Sequence, residues 1–283
     1  MPRIAVVTDS TCDRGPKALA AANVTMVPLK LTIGDETFLD WTDFMPSEFY
    51  PKLRAAAQLP TTSQPTPGEF SEVYKRLAAE GAEGIVSIHL SSKLSGTVES
   101  ALMAAETSPV PVRVVDSAFV SAGMDFAIDA ACAARDAGKN LDAVEKAALQ
   151  AIEGSSLFFV LDTLDYLVKG GRAGRAQGLA AALLNIKPVL QVTGGVIEPF
   201  KKCKGTNKAI REMAEHVAAQ SRKIGPLRIV VVHAVAQNLA DELLNAIRSA
   251  GTDIADIEVD EIGSVIGTHV GPRAVGVAYA PAK

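Results

Sequence analysis

Short β-branched runs alternate with Ala-rich stretches along the first half of this 283-residue chain, and this alternation constrains the fold most strongly. The runs Arg3–Val7, Gly84–Leu90 and Val112–Val115 are typical of buried strands, and helical spacing follows each of them. Strands that alternate with helices are typical of a parallel sheet covered by helices. The sequence therefore predicts an α/β fold that begins with a mostly parallel sheet flanked by helices.

The second half has a different pattern. Lys187–Val192 and Val196–Pro199 flank the pair Gly194-Gly195, which is typical of two antiparallel strands joined by a tight turn. A helix at 207–222, a strand at 227–233, a helix at 238–250 and strands at 254–261 and 274–278 are predicted to follow. We therefore expect two α/β domains, 1–154 and 155–283, of which the second contains antiparallel strands.

Three separated segments, which we interpret as loops, concentrate hydroxyl groups beside glycine or proline: 60–70, 91–97 and 263–272. Thr66-Pro67-Gly68-Glu69 has the pattern of a capped helix start, which places Thr62 and Ser63 just before a helix N-terminus. Hydroxyls and backbone N–H groups at such positions suit a small acidic group. We expect one polar ligand site, built from the residues Thr62, Ser63, Ser95, Gly96, Thr97, Thr268 and His269.

Composition excludes several classes of function. The net charge of −4 and the absence of a long basic run argue against a nucleic-acid partner. No uncharged stretch approaches the ~20 residues of a spanning helix, and we expect a cytoplasmic protein. Cys12, Cys132 and Cys203 are far apart and odd in number, so we interpret them as free thiols.

The hydroxyl-bearing residues also have simpler explanations. Thr62 and Ser63 could serve as helix caps and nothing more, and Ser95 could serve merely to satisfy N–H groups of its own helix. Ser95 lacks the first glycine of a Gly-x-Ser-x-Gly elbow, and the sequence shows no spacing typical of a metal site.

Arg172 and Arg175 lie among glycines without the ending of a phosphate loop, so a solvated loop that docks a partner is the preferred interpretation.

Six blocks of the sequence, in order, resemble the DegV family of bacterial fatty-acid-binding proteins. The blocks are Thr8–Asp13, Thr62–Pro65, Leu90–Thr97, Leu164–Arg172, Lys187-Pro188 and Gly267–Pro272. The resemblance implies two α/β domains that enclose one long-chain fatty acid of the palmitate, stearate or oleate type. It also implies that Thr62 and Ser95 hydrogen-bond the carboxylate, with His269 close to it. No further cofactor and no metal are expected.

The resemblance further implies a carrier and not an enzyme. In members that work with a fatty acid kinase, the bound acid becomes an acyl phosphate for phospholipid synthesis, so a kinase subunit is an expected partner. Arg172, Arg175, Lys202 and Lys204 are the candidate docking residues, and transient contact with a membrane surface is compatible with this role. The alternative is a hydrolase or acyltransferase that uses Ser95 and His269.

Two positions depart from the family pattern. Arg273 follows Gly-Pro where the family commonly has glycine, and Lys204 stands where an arginine is common. Lysine cannot make the planar two-point contact of arginine. These departures affect the electrostatics expected near His269 and the docking of a kinase.

Overall fold

The computed structural model of the protein describes residues 3–56, 58–182 and 186–282. Its first sheet is parallel, with the strand order β2-β1-β6-β7. These strands are β1 (Ile4–Asp9), β2 (Val24–Val27), β6 (Gly84–His89) and β7 (Val112–Asp116). The prediction of a parallel first sheet is therefore confirmed.

A small antiparallel sheet lies beside the first one, in the order β4-β3-β5. It contains β3 (Lys30–Ile33), β4 (Glu36–Leu39) and β5 (Thr61–Ser63). β2 and β3 follow each other closely along the chain but belong to different sheets. Pro28 lies between them, and because proline has no N–H it cannot continue a strand ladder.

Helices cover the sheets of the first half. They are α1 (Pro16–Ala21), α2 (Pro46–Ala55), α3 (Pro67–Ala79), α4 (Thr97–Ala105), α5 (Asp125–Asp136) and α6 (Leu141–Gly154). The capping box of α3 is confirmed, because the Thr66 hydroxyl accepts from the Glu69 N–H while the Glu69 carboxylate accepts from the Thr66 N–H. Leu102 lies on the outer face of α4 and is 50% exposed.

The second half forms a six-stranded sheet in the order β10-β9-β8-β13-β11-β12. Its strands are β8 (Ser156–Val160), β9 (Lys187–Thr193), β10 (Val196–Cys203), β11 (Leu227–His233), β12 (Ile254–Glu261) and β13 (Val275–Pro281). Only the β11–β12 pair is parallel, so the predicted antiparallel character is confirmed. The β9–β10 turn places Gly194 and Gly195 at φ 56° and 84°, where residues other than glycine are strained.

The helices of this half are α7 (Asp165–Lys169), α8 (Thr206–Ile224), α9 (Gln237–Ser249) and α10 (Ser264–Val270). The segment 263–272 was interpreted as a glycine-rich loop, but its centre is helix α10. Glycine is required at position 267 of this helix because a larger side chain has no room there: a Cβ would lie 2.7 Å from the Tyr50 hydroxyl.

The two large sheets meet over shared apolar residues. One core cluster includes Ile4 and Val86 from the first sheet and Ala280 from the second. The change of sheet falls between α6 and β8, at the expected boundary near Gly154; the division into two domains stays a prediction. No helix in the described part of the chain is long and apolar enough to cross a membrane.

Candidate functional site

A cavity of about 560 Å³, including the space at its mouth, lies where the two halves of the chain meet. Most of its wall is apolar, with contributions from Leu29, Leu90, Leu94, Val120, Ile197 and Ile266. The polar residues in the wall are Thr62, Ser63, Gln64, Ser95, Arg172 and His269. This mixture of an apolar wall with a few polar groups is typical of a small-molecule site.

Thr62 and His269 are joined directly at the cavity. Thr62 lies at the centre of β5, and its Oγ1 is 2.8 Å from Nε2 of His269 in the last turn of α10. The two residues are 207 positions apart in sequence. The structure therefore brings these two predicted site residues together at the cavity.

Ser95 reaches the cavity from the turn between β6 and α4. Its backbone N–H donates to the Ser91 carbonyl at 3.1 Å, which closes that turn. Its hydroxyl lies 2.9 Å from that of Thr97, the first residue of α4. Thr97 is fully buried and does not line the cavity, so its contact with the site runs through the Ser95 hydroxyl.

Two other predicted site residues do not line this cavity. Thr268 is buried and donates its hydroxyl proton to the Ser264 carbonyl at 2.9 Å, and it lines a neighbouring opening together with Thr62 and His269. Gly96 permits a close approach, because a Cβ there would lie 2.6 Å from Nε2 of Gln64. Gln64 itself lines the cavity and was not singled out from the sequence, although it follows Thr62 and Ser63 in the same segment.

Arg172 was predicted on a solvated docking loop; the structure places it half-buried in the cavity wall, and its docking role stays a prediction. Its Nη1 donates to the Gly170 carbonyl at 2.7 Å and its Nε to the Leu94 carbonyl at 3.3 Å. The second contact connects it to the turn that carries Ser95. No local signal could have located it, because the contact joins residues 78 positions apart.

The other candidate docking residues lie outside the cavity wall. Arg175 is 77% exposed and forms an ion pair of 2.7 Å with Glu198. Lys202 is exposed on β10, and Lys204 is exposed just after that strand. Their docking role stays a prediction.

Burial and the nearby Arg172 guanidinium lower the pKa of His269 to about 4. The imidazole is therefore neutral at neutral pH. Among the described residues, none hydrogen-bonds to its Nδ1. This nitrogen lies against Gly170, where a Cβ would approach it to 2.4 Å.

This arrangement suits binding better than covalent chemistry. Within the described residues, the hydrogen bond of His269 goes to Thr62 and not to Ser95, and no carboxylate bonds to its other nitrogen. Activation of a serine requires a base within hydrogen-bonding reach, oriented by a third group. The hydroxyls, the guanidinium and the apolar wall together suit an amphipathic molecule that carries a small anionic group.

Solved structures share this fold over nearly the full chain. A DegV family protein from Thermus thermophilus, described as binding fatty acid, has a TM-score of 0.93 at 34% identity, covering 99% of each chain. DegV from Bacillus subtilis, described as a fatty acid binding protein, has a TM-score of 0.90 at 29% identity, again covering 99% of each chain. Two-sheet α/β proteins described as binding fatty acids are thus the class that this fold resembles.

Sequence comparison agrees with the fold. The model of a family described as uncharacterised proteins of the DegV family matches residues 3–282. A DegV domain-containing protein of Streptomyces coelicolor is 40% identical over 274 residues, which is 97% of each chain. The chain belongs to the DegV family.

Proposed function

We propose that this protein binds one long-chain fatty acid, with the acyl chain in the cavity and the carboxylate at Thr62 and Ser95. The observation that carries the proposal is a continuous set of contacts between polar residues in a mostly apolar wall. Thr62 bonds to His269, His269 lies beside Arg172, and Arg172 bonds to the carbonyl of Leu94, next to Ser95. This set of polar groups provides hydroxyl donors and one positive charge for a carboxylate.

The neutral His269 determines how Thr62 is used. When Nε2–H of the imidazole donates to the Thr62 oxygen, the Thr62 hydroxyl proton is free to donate to the ligand. A hydrogen bond to a charged group contributes about 1.5–3 kcal/mol. His269 thus supports the charged carboxylate through Thr62, and Arg172 supplies the opposite charge.

The acyl chain supplies most of the affinity. Burial of each CH₂ group contributes about 0.8 kcal/mol, so a chain of the palmitate, stearate or oleate type gains far more from the apolar wall than from the carboxylate contacts. The Thermus thermophilus and Bacillus subtilis proteins of this fold, both described as binding fatty acids, support this ligand class.

We further propose that a fatty acid kinase receives the carboxylate from this site and forms an acyl phosphate for phospholipid synthesis. A second opening shares Thr62, Arg172 and His269 with the acyl cavity. Its wall also contains Thr61, Tyr166 and Lys169. The carboxylate end of the cavity is therefore open to a partner, and Arg175, Lys202 and Lys204 are exposed for docking.

Organic extraction of the purified protein followed by mass spectrometry tests the carrier function. We expect about one fatty acid per chain, because a largely apolar cavity retains its ligand. Titration of delipidated protein with palmitate, stearate and oleate gives the affinities. If no lipid is extracted and the delipidated protein takes up none of the three acids, the proposal is contradicted.

Ester turnover separates the carrier from the hydrolase that Ser95 and His269 could form. We expect the purified carrier not to cleave acyl esters, and we expect His269→Ala to lower its affinity for fatty acid. With a fatty acid kinase and ATP supplied, we also expect His269→Ala to lower the formation of acyl phosphate. Turnover by the wild type alone, abolished in His269→Ala with unchanged fatty acid affinity, would instead establish the hydrolase.

A further inference from the structure

The segment Asp9–Asp13 directly follows β1 and is completely enclosed. All five residues are at most 3% exposed, and none of them lines the acyl cavity. Resting on the proposed function, we propose that Asp9, Ser10 and Asp13 are positioning residues of the fatty acid site. Their side chains bond to backbone N–H groups of three separate segments that form the cavity wall.

Strand order explains why this segment can reach so many partners. β1 lies between β2 and β6 in a parallel sheet, so all three strands end at the same edge. A segment that leaves the middle strand lies next to the chain that leaves each neighbour. Ligand sites of open α/β sheets lie at this edge.

Ser10 and Asp9 each bond to one neighbouring exit. The Ser10 hydroxyl accepts from the Leu29 N–H at 3.0 Å, just beyond β2. The Asp9 carboxylate accepts from the Leu90 N–H at 3.0 Å, where β6 leads into the turn that carries Ser95. Leu29 and Leu90 both line the cavity.

Asp13 connects the segment to the second half of the chain. Its Oδ1 accepts from the Gly263 N–H at 2.9 Å, directly before α10, and its Oδ2 accepts from the Ser121 hydroxyl. Helix α10 carries Ile266 and His269 into the cavity wall. Val120, the residue before Ser121, also lines the wall. Asp13 has φ 61°, a left-handed conformation that aspartate and asparagine adopt more readily than other residues with a side chain.

The three bonds therefore fix the separation between β2, the Ser95 turn and α10. Thr62 and Ser95 must face one carboxylate within hydrogen-bonding distance, and such contacts weaken steeply when their geometry is lost. Release of one wall segment reduces binding although no residue that contacts the ligand has changed. Such a loss of affinity therefore distinguishes positioning of the wall from direct contact with the ligand.

Ser10→Ala tests the proposal against a matched control, Ser221→Ala. Ser221 is also buried at 3% exposure, and its hydroxyl accepts from the Asp253 N–H at 3.1 Å, but it lies outside the cavity wall. Both variants lose one acceptor for a backbone N–H, so both lower Tm. We expect Ser10→Ala alone to weaken stearate binding, by about three- to tenfold, and to speed amide exchange at Leu29.

Asp13 provides a rescue experiment. Asp13→Gly removes the carboxylate without strain at φ 61°, and we expect a loss of stearate affinity of about tenfold. Asp13→Asn keeps an oxygen for the Gly263 N–H and offers an amide to Ser121, so we expect it to bind stearate as the wild type does. Loss in Asp13→Asn equal to that in Asp13→Gly would contradict positioning through these bonds.

The positioning role can fail while the carrier function stands. Wild type that binds stearate, with Ser10→Ala and Asp13→Gly binding equally well, overturns the positioning role alone. Wild type that binds no fatty acid overturns the proposed function. If Asp13→Gly does not fold, the comparison of Ser10→Ala with Ser221→Ala still decides between these outcomes.

Discussion

Thr62 Oγ1 lies 2.8 Å from Nε2 of His269, so a strand of the first half and a helix near the end of the chain meet in one hydrogen bond at the cavity wall. The double variant Thr62→Val, Ser95→Ala removes both proposed carboxylate donors and leaves the apolar wall intact. Hydrogen bonds to a charged group contribute about 1.5–3 kcal/mol each. We expect fatty acid affinity, measured by calorimetric titration, to fall tenfold or more.

Thr32→Val is the control for the Thr62 change. Thr32 lies on β3, next to β5, and its hydroxyl pairs with that of Thr37 outside the cavity. We expect this variant to bind fatty acid as the wild type does. A double variant that binds as tightly as the control would place the carboxylate elsewhere.

Gly170→Ala should weaken binding without changing any polar group. The added Cβ would lie 2.4 Å from Nδ1 of His269 and 3.0 Å from the Tyr166 carbonyl, so the imidazole must move away from Thr62. We expect lower fatty acid affinity in calorimetric titration. Gly178→Ala is the matched control, because no atom of the described residues lies within 4 Å of its Cβ position. Equal affinities of the two variants would contradict the importance of the His269 position.

The lowered pKa of His269 makes stability depend on pH. Burial and Arg172 lower this pKa from 6.5 to about 4 in the folded protein. The unfolded chain therefore binds a proton at a higher pH than the folded chain does. The stability contribution is complete above the unfolded pKa and is lost as the pH falls from 6.5 towards 4, by up to about 3 kcal/mol.

Comparison with His269→Gln isolates this effect. Asp40, whose pKa burial raises to about 7, has a slope of the opposite sign in an overlapping range, and it is present in both proteins. We expect the difference in unfolding free energy, wild type minus His269→Gln, to be larger at about pH 7.5 than at about pH 4.5 in urea titrations. A difference that does not change with pH would mean that His269 titrates normally.

Local signals were sufficient for much of the fold. The capping box at Thr66 and Glu69 predicted the start of α3, because both partners lie within one turn of chain. The Gly194-Gly195 turn predicted the β9–β10 hairpin for the same reason. Thr62, Ser95 and His269 were identified from their hydroxyl-rich segments together with the family resemblance, and all three line the cavity.

Long-range packing explains the errors. The glycine-rich segment of α10 looked like a loop, but Gly267 is needed inside a helix because Tyr50 and Phe49 approach to 2.7 and 2.9 Å of its Cβ position. Arg172 looked solvated because its partner, the Leu94 carbonyl, belongs to a distant turn. Neither contact is visible in local sequence.

Arg273 should cost the protein stability. Its φ is 65°, a left-handed conformation that costs a residue with a side chain roughly 1–2 kcal/mol, at the position where the family commonly has glycine. Arg273→Gly relieves this strain and keeps the bond from its N–H to the Ala234 carbonyl at 2.8 Å. Glycine also increases the entropy of the unfolded chain, so we expect a net gain of about 0.5–1 kcal/mol in urea unfolding.

Arg273→Ala is the control, because alanine removes the charge and the long side chain but keeps the strained backbone. We expect its stability to stay near that of the wild type. Arg273 lies outside the cavity wall, so both variants should bind fatty acid normally. If Arg273→Gly is no more stable than Arg273→Ala, backbone strain at this position does not limit stability; if both variants bind fatty acid less tightly, the guanidinium contributes to the field around His269.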